Sequence, residues 1–277
     1  MNKLYKAIGI SKQAVYKQEK KQIVLDQKMT ELVYHADLLR TEHPGCGVEK
    51  MYYTLQPDFL GRDKFIELFM SLGYRLKMKK NYRRTTFSTN IYYPDLIKGM
   101  KVNAPSVIWQ TDITYIYVPK EHRFYYAVFI IDVYTKKIVG YKVSSHMRAT
   151  ANVDAFKNAI KNNKPPLIHH SDRGSQYIFK DYIKLLKDNN CRISMSLIAQ
   201  ENAYAERINR TIKEEYIEYW APENFKELKK YMKKAVKNYN EKRPHNNIGK
   251  MSPVEFEKKV LNLPENERPI EFIYDYQ

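Results

Sequence analysis

The chain has 277 residues and carries 48 Lys and Arg against 31 Asp and Glu, so its formal net charge is +17. This basic excess favours a nucleic-acid partner, because neutralised phosphates release condensed counterions, although lysine on an ordinary solvated surface would give the same count. Two distant cysteines argue against zinc and disulfides, and the apolar runs are too short for a signal core or a membrane span. We therefore expect a cytoplasmic protein without a membrane partner.

The first 105 residues are predicted to form helical DNA-binding segments followed by a linker. Residues 1–24 include the fragment IGISKQAVYKQ, which is typical of the turn and second helix of a helix-turn-helix. Within residues 25–85, apolar side chains at three-to-four spacing predict three short helices, with Pro44 and Gly45 breaking the first from the second. This pattern fits a helix-turn-helix domain, and it also fits a helical trio with no DNA role. Residues 86–105 lack periodicity, so we place the linker there.

A strongly basic run ends the helical segment. Between Arg75 and Arg84, six of ten residues are basic, none is acidic, and Tyr82 lies among them. Basic residues interleaved with an aromatic ring suit contact with a nucleic-acid backbone, although such a run is often only a solvated linker. The residues that we expect to contact DNA in this arm are Lys77, Lys79, Lys80, Arg83 and Arg84.

The remaining chain predicts a ribonuclease-H-like α/β domain over residues 106–260, followed by a C-terminal tail at 261–277. Three β-rich runs joined by short turns predict an antiparallel meander. Helices and short strands then alternate, which favours a mixed sheet with helices on both faces. The predicted strands are residues 107–118, 124–134, 138–144, 167–170 and 193–197, and the predicted helices are residues 149–161, 178–188 and 202–219.

Three acidic residues occupy elements that this sheet order would bring together. Asp112 lies within the first strand, Asp172 follows the fourth, and Glu206 lies on the last of these helices. Like charges at ~4 Å repel by about 4 kcal/mol, so such a trio needs bound cations. Carboxylate oxygens suit Mg²⁺, and we expect two Mg²⁺ ions, with Mn²⁺ able to substitute, to serve phosphodiester chemistry.

Other polar residues near these acids are candidates for DNA contact. Arg173 and Gln176 follow the second aspartate and can reach phosphate oxygens. Asn209 and Lys213 share a helical face with the glutamate, which would place an amide and a cation beside the site. Arg243, after a long amphipathic helix, is interpreted as a structural clasp that could also contact DNA.

Some neighbouring side chains have a structural alternative. Asp132 could be a fourth ligand, and we favour a role in capping the turn to Thr135. His169 and His170 could relay protons, and one of them is expected to pack within its strand. Glu201, about one helical turn before the predicted glutamate, is its nearest rival as a ligand.

Four motifs together are specific: WQTDIT (residues 109–114), HSDRGSQY (170–177), ENAYAER (201–207) and YNEKRPHNNIGKMSP (239–253). In this order they resemble the integrase-core transposases of bacterial insertion sequences, in particular the second-frame (OrfB) product of the IS-three family. The resemblance covers about residues 25–258. It implies a DDE transposase with Asp112, Asp172 and Glu206 as metal ligands and Mg²⁺ as cofactor. It also implies strand cleavage and strand transfer at terminal inverted repeats, without a covalent protein–DNA intermediate.

The resemblance further implies double-stranded DNA as partner, both the element ends and a target. We expect a homodimer or higher oligomer on DNA, associated with the nucleoid, and an upstream-frame (OrfA) fusion partner. The interval between Asp172 and Glu206 is two residues shorter than the commoner family pattern. Two alternatives stay open: a ribonuclease-H-like nuclease without joining activity, and a non-catalytic DNA binder derived from a transposase.

Overall fold

The computed structural model describes residues 11–76, 93–196 and 199–274. Most of the predicted basic arm lies outside these ranges. All five residues of the arm that we expect to contact DNA are outside them: Lys77, Lys79, Lys80, Arg83 and Arg84. The first ten residues of the predicted N-terminal helix-turn-helix fragment also lie outside them.

The first of two compact units consists of residues 1–42 and 46–75. Its helices are α1 (Lys12–Glu42), α2 (Val48–Leu55) and α3 (Arg62–Ser71). Apolar side chains at helical spacing form its core, in which the fully buried rings of Phe65 and Phe69 stack with centroids 4.1 Å apart. The three predicted helices are present, but the first, α1, has 31 residues and is not the short helix that the spacing predicted. The boundary expected at residue 24, however, falls inside α1, because the sequence of that helix contains neither Gly nor Pro to end it.

The second unit consists of residues 43–45 and 76–277, and a five-stranded sheet lies at its centre. Its strands are β2 (Ile108–Val118), β3 (Arg123–Asp132), β4 (Ile138–Ser144), β5 (Ile168–Ser171) and β6 (Arg192–Met195); a separate short strand, β1 (Lys101–Val102), precedes them. The order across the sheet is β4-β3-β2-β5-β6. The antiparallel meander of β2, β3 and β4 is confirmed, and β5 runs parallel to both β2 and β6.

Helices cover both faces of this sheet, as predicted. They are α4 (Thr150–Ile160), α5 (Lys180–Asp188), α6 (Ala203–Ile212), α7 (Glu218–Trp220), α8 (Phe225–Glu241) and α9 (Pro253–Leu261). On one face Trp109 of β2 packs with apolar side chains of α4 and α5. On the other face Ile116 of β2 packs with apolar side chains of α6 and α8. The alternation of β2 therefore directs Asp112 and Ile116 towards the face that carries α6.

The described parts of the predicted linker and tail both belong to this second unit. β1 pairs in antiparallel fashion with β7 (Glu271–Phe272), so the two segments form a small sheet of their own. Ile97, Val102 and Ile273 are almost completely buried in a third apolar cluster. Each of these strands has only two residues, which leaves no periodicity for a sequence pattern to reveal.

The helix predicted over residues 202–219 is interrupted. A π-helix (Lys213–Ile217) separates α6 from α7. Glu215, within the π-helix, accepts two hydrogen bonds of 2.7 Å from the guanidinium of Arg243, and its carbonyl accepts the N–H of Gly45 at 2.7 Å. The side chains of this ion pair are 10% and 20% exposed, and the pair holds in place a helical form that is rare in proteins. Within the described ranges, no helix is long and apolar enough to cross a membrane.

Candidate active site

Asp112 lies in the middle of β2, opposite Phe129 of β3. Its Oδ1 accepts the N–H of Ile113 at 2.8 Å, and its Oδ2 accepts the side-chain amide of Asn209 at 2.7 Å. Burial, followed by the charge of Asp172, raises the pKa of Asp112 to about 7, and the charge of Glu206 adds to the effect. Two hydrogen bonds thus orient this carboxylate, while burial and the neighbouring acids disfavour its ionised form.

Asp172 directly follows β5, the parallel neighbour of β2. The last paired residues of these two strands are Thr111 and Ser171, so the two aspartates occupy the next position on adjacent strands. Oδ1 of Asp172 accepts the N–H of Gly174 at 3.0 Å. Burial raises the pKa of the Asp172 carboxyl, and this hydrogen bond offsets part of the effect.

Glu206 lies in the first turn of α6, and hydrogen bonds hold the start of that helix against β2. Gln110 is completely buried, and its Oε1 accepts the N–H groups of Tyr204 at 3.2 Å and Ala205 at 3.4 Å. The side-chain amide of Asn202 donates to the carbonyl of Thr111 at 3.0 Å. These contacts bring the helix to the strand of Asp112. Burial, then the charge of Asp172, raises the pKa of Glu206.

The three predicted carboxylates are therefore electrostatic neighbours. Burial, and then the charge of Asp172, raises the pKa of both Asp112 and Glu206. Among the described residues, no three His, Cys, Asp or Glu side chains lie close enough together to hold a metal ion as they stand. An all-oxygen donor set with uncompensated negative charge fits a hard divalent cation. Moreover, within the described structure Oδ1 of Asn209 is buried and lacks a hydrogen-bond partner. The chemistry of the donor set thus fits the expected metal.

The other predicted site residues divide into two groups. Arg173, Gln176, Asn209 and Lys213 lie on the segments that carry Asp172 and Glu206, and Lys213 begins the π-helix two turns after the glutamate. Arg243 lies elsewhere: the residue is 9% exposed, and its guanidinium is engaged with Glu215. Arg243 therefore has the structural role that the sequence suggested, in the ion pair with Glu215, and little of its surface remains available to DNA.

The structural alternatives for the neighbouring residues are confirmed. Oδ1 of Asp132 accepts the N–H and the hydroxyl of Thr135 at 2.8 and 2.9 Å, which caps the turn as expected. His169 shares a 2.6 Å hydrogen bond with the Tyr182 hydroxyl, and burial lowers the pKa of His169 to about 3. His170 bonds Ser194 at 2.8 Å, and burial lowers its pKa to about 4. Both histidines are neutral packing residues at pH 7.

Sequence reasoning missed the anchoring roles of Gln110 and Asn202. A signal for the first was present, because a glutamine within a strand, on the face of Asp112, needs a partner when it is buried. Its partners include the N–H groups at the start of α6, and Nε2 donates to the carbonyl of Glu201 at 3.2 Å. Glu201, the predicted rival ligand, is buried and its charge acts on His170.

Comparison with known proteins agrees with this geometry. Two family models, both described as integrase core domain, match residues 102–199 and 192–253. The chain is 36% identical to the transposase for insertion sequence element IS629 of Shigella sonnei, over 78% of this chain and 75% of that protein. It is 33% identical to transposase InsF for insertion sequence IS3A of Escherichia coli K12, over 57% of this chain and 56% of the other. The chain belongs to the integrase-core transposases of insertion sequences.

The fold of this transposase is also found in a chain of the simian T-cell lymphotropic virus intasome in complex with PP2A regulatory subunit B56 gamma. The TM-score is 0.53 at 14% identity, over 66% of this chain and 64% of that chain. As a family member, the transposase is a DDE polynucleotidyl transferase of DNA recombination; proteins of this family generally use a divalent metal and assemble on DNA. The two family matches together include Asp112, Asp172 and Glu206.

Proposed function

We propose that Asp112, Asp172 and Glu206 are the catalytic carboxylates of DNA strand cleavage and strand transfer at the ends of an insertion sequence. The observation that carries this proposal is the placement of the three acids: hydrogen bonds from Gln110 and Asn202 hold the helix of Glu206 against the strand of Asp112, and Asp172 follows the adjacent parallel strand. Burial, and then the charge of Asp172, raises the pKa of both Asp112 and Glu206. Side chains that served only the fold would not be arranged to repel one another. Two Mg²⁺ ions, or Mn²⁺ in their place, would balance this charge.

Each residue then has a definite task. The three carboxylates would hold the ions, and the hydrogen bonds from Asn209 and Gly174 fix the orientation of the two aspartates. Bound ions would activate the attacking water or 3′-hydroxyl and stabilise the leaving oxygen of an in-line displacement. Lys213, two turns beyond Glu206 in sequence, binds a DNA phosphate beside the reacting strand, and Arg173 and Gln176 contact phosphate oxygens near Asp172.

The substrate of this reaction is double-stranded DNA that carries the terminal inverted repeats of the element, together with a target duplex. Residues 25–85 serve as a helix-turn-helix domain that binds these ends, and the basic run of residues 77–84 tracks the phosphate backbone. The working form is a dimer or larger assembly on nucleoid DNA in the cytoplasm, with an OrfA product as upstream fusion partner. The net charge of +17 supports this choice of partner.

The proposal is tested with labelled element ends and a target plasmid in the presence of Mg²⁺. We expect Asp172→Asn to bind the ends with unchanged Kd and to give no joined product, whereas Asp188→Asn, an exposed aspartate at the end of α5, joins them normally. Joining by Asp172→Asn would refute the assignment. A wild-type protein that cuts without joining would be a nuclease, and one that only binds would be a non-catalytic regulator.

A further inference from the structure

A buried ion pair links the C-terminal strand β7 to the turn between β3 and β4. Nζ of Lys136 donates to Oε1 of Glu271 at 2.7 Å, and it also donates to the carbonyl of Val133 at 2.8 Å. The side chain of Lys136 is only 7% exposed and that of Glu271 26%. Such a shielded cation depends on its carboxylate, because removing one partner leaves an unpaired charge away from water.

The same carboxylate oxygen reaches the helix of Glu206. The hydroxyl of Tyr204, in the first turn of α6, donates to Oε1 of Glu271 at 2.6 Å, and Nζ of Lys136 lies 4.2 Å from the centroid of the Tyr204 ring. The backbone N–H of Tyr204 donates to Gln110 of β2. Tyr204 is therefore held at its backbone by the central strand and at its hydroxyl by β7, two residues before Glu206.

The position of Glu271 is itself fixed by main-chain contacts. Glu271 pairs with Val102 of β1, and the N–H of Ile273 donates to the carbonyl of Met100 at 2.8 Å. The hydroxyl of Tyr134 donates to the carbonyl of Pro269 at 3.0 Å, and Ile273 is 1% exposed. Since the strand is anchored on both sides of Glu271, it provides a rigid support for the tyrosine.

We propose that Glu271 is a positioning residue that, through Tyr204 and Lys136, fixes the first turn of α6 and with it the carboxylate of Glu206. The inference rests on the proposed role of Glu206. It extends the functional core to β7, beyond residue 253 where the family matches end. Residues that fix the orientation of a metal ligand without contacting the ion strongly affect the affinity of the site for that ion.

The chain offers a matched control for this ion pair. Lys137, the next residue of the same turn, pairs with Glu257 of α9 at the same distance, 2.7 Å, and the two side chains are 20% and 22% exposed. Glu257→Gln removes a comparable ion pair, which links the same turn to α9 and has no contact with Tyr204 of α6 in the hydrogen bonds described above. The test therefore compares Glu271→Gln and Tyr204→Phe with Glu257→Gln, all in the full chain.

The first readout is amide hydrogen exchange over residues 203–206 without metal or DNA. We expect Glu271→Gln and Tyr204→Phe to accelerate exchange there by about tenfold, because a charge-assisted hydrogen bond is lost, and Glu257→Gln to leave it unchanged. The second is the Mg²⁺ concentration for half-maximal strand transfer, which we expect to rise by about tenfold in the first two variants only.

If Glu271→Gln and Tyr204→Phe match Glu257→Gln in both readouts, the ion pair serves only stability and the inference is overturned. If Glu271→Gln does not fold, Tyr204→Phe decides, because it keeps the ring and removes only the hydroxyl. Glu206→Gln is measured in parallel. Strand transfer by that variant would refute the proposed function, whereas the exchange comparison would still report whether Glu271 positions α6.

Discussion

The side-chain amide of Asn209 donates to Oδ2 of Asp112 at 2.7 Å, and this hydrogen bond joins the helix of Glu206 to the strand of Asp112. It holds one oxygen of the carboxylate in a fixed direction, while the N–H of Ile113 holds the other. An amide is suited to this task, since it donates a hydrogen bond without adding charge to an acidic site.

Removal of this amide should therefore impair catalysis more than binding. We expect Asn209→Ala to lower the rate of strand transfer by about 10–100-fold, the usual cost of losing a residue that orients a metal ligand, with the Kd for DNA unchanged. Single-turnover joining of labelled ends measures the rate. Asn158→Ala, an exposed position on α4, is the control. A weaker Kd with a normal rate would instead assign Asn209 to DNA contact.

Gln110 should contribute strongly to stability because it satisfies three buried backbone groups. Gln110→Ala leaves the N–H groups of Tyr204 and Ala205 and the carbonyl of Glu201 without this partner. We expect the free energy of unfolding to fall by about 2–4 kcal/mol, measured by urea denaturation. The exposed Gln27→Ala should leave it unchanged, and equal effects of the two variants would contradict the anchoring role.

Arg243 should behave as a structural residue. Its two hydrogen bonds to Glu215, both 2.7 Å, use the planar guanidinium in a way that lysine cannot copy. We expect Arg243→Lys to lower the free energy of unfolding by about 2 kcal/mol. We expect Arg243→Gln, which removes the positive charge, to leave the slope of log Kd against log salt concentration unchanged. A shallower slope would show that Arg243 contacts a phosphate in addition to forming the clasp.

Lys213 should show the opposite behaviour. If it neutralises one phosphate, Lys213→Ala reduces the salt slope of DNA binding by about 1 and leaves urea denaturation unaltered. Lys184→Ala, an exposed lysine of α5 on the other face of the sheet, is the matched control. An identical slope for both variants would remove Lys213 from the DNA interface.

His169 should make the protein sensitive to acid. Burial lowers its pKa in the folded state to about 3, below the value near 6.5 of an unfolded chain, so the unfolded state binds the extra proton first. Its contribution to stability is complete above pH 6.5 and is lost as the pH falls towards 3, by up to about 1.4 kcal/mol per pH unit. We expect His169→Gln to flatten this dependence and the exposed His35→Gln to preserve it. Parallel curves for wild type and His169→Gln would contradict this origin.

Much of the sheet could be predicted because strands of ordinary length show a recognisable alternation or run of apolar residues. The runs that became β2, β3 and β4 alternate or stay apolar over seven or more residues and are separated by short polar turns. Asp112 and Asp172 could be singled out because each interrupts or ends such a run, and Glu206 because it shares a helical face with Asn209 and Lys213. Their proximity then followed from the order of the elements.

The parts that escaped prediction depend on distant partners. β1 and β7 are two residues long and are held by contacts between segments about 170 residues apart. The π-helix depends on Arg243, which lies 28 residues after Glu215. Gln110 acquires its hydrogen-bond partners only when α6 packs against β2. The sequence immediately around each of these residues contains none of its partners, so the local hydrophobic pattern could not predict these contacts.

The pairing of β1 with β7 also has a consequence for the order in which the protein folds. Ile97 and Ile273 lie in one apolar cluster, so that cluster cannot be completed until almost the whole catalytic unit has been synthesised. Contacts of such long sequence separation form late and slowly. A nascent chain on the ribosome thus carries β2 and Asp112 long before β7 exists, so we expect the packing of this unit to be completed only after translation has passed residue 273.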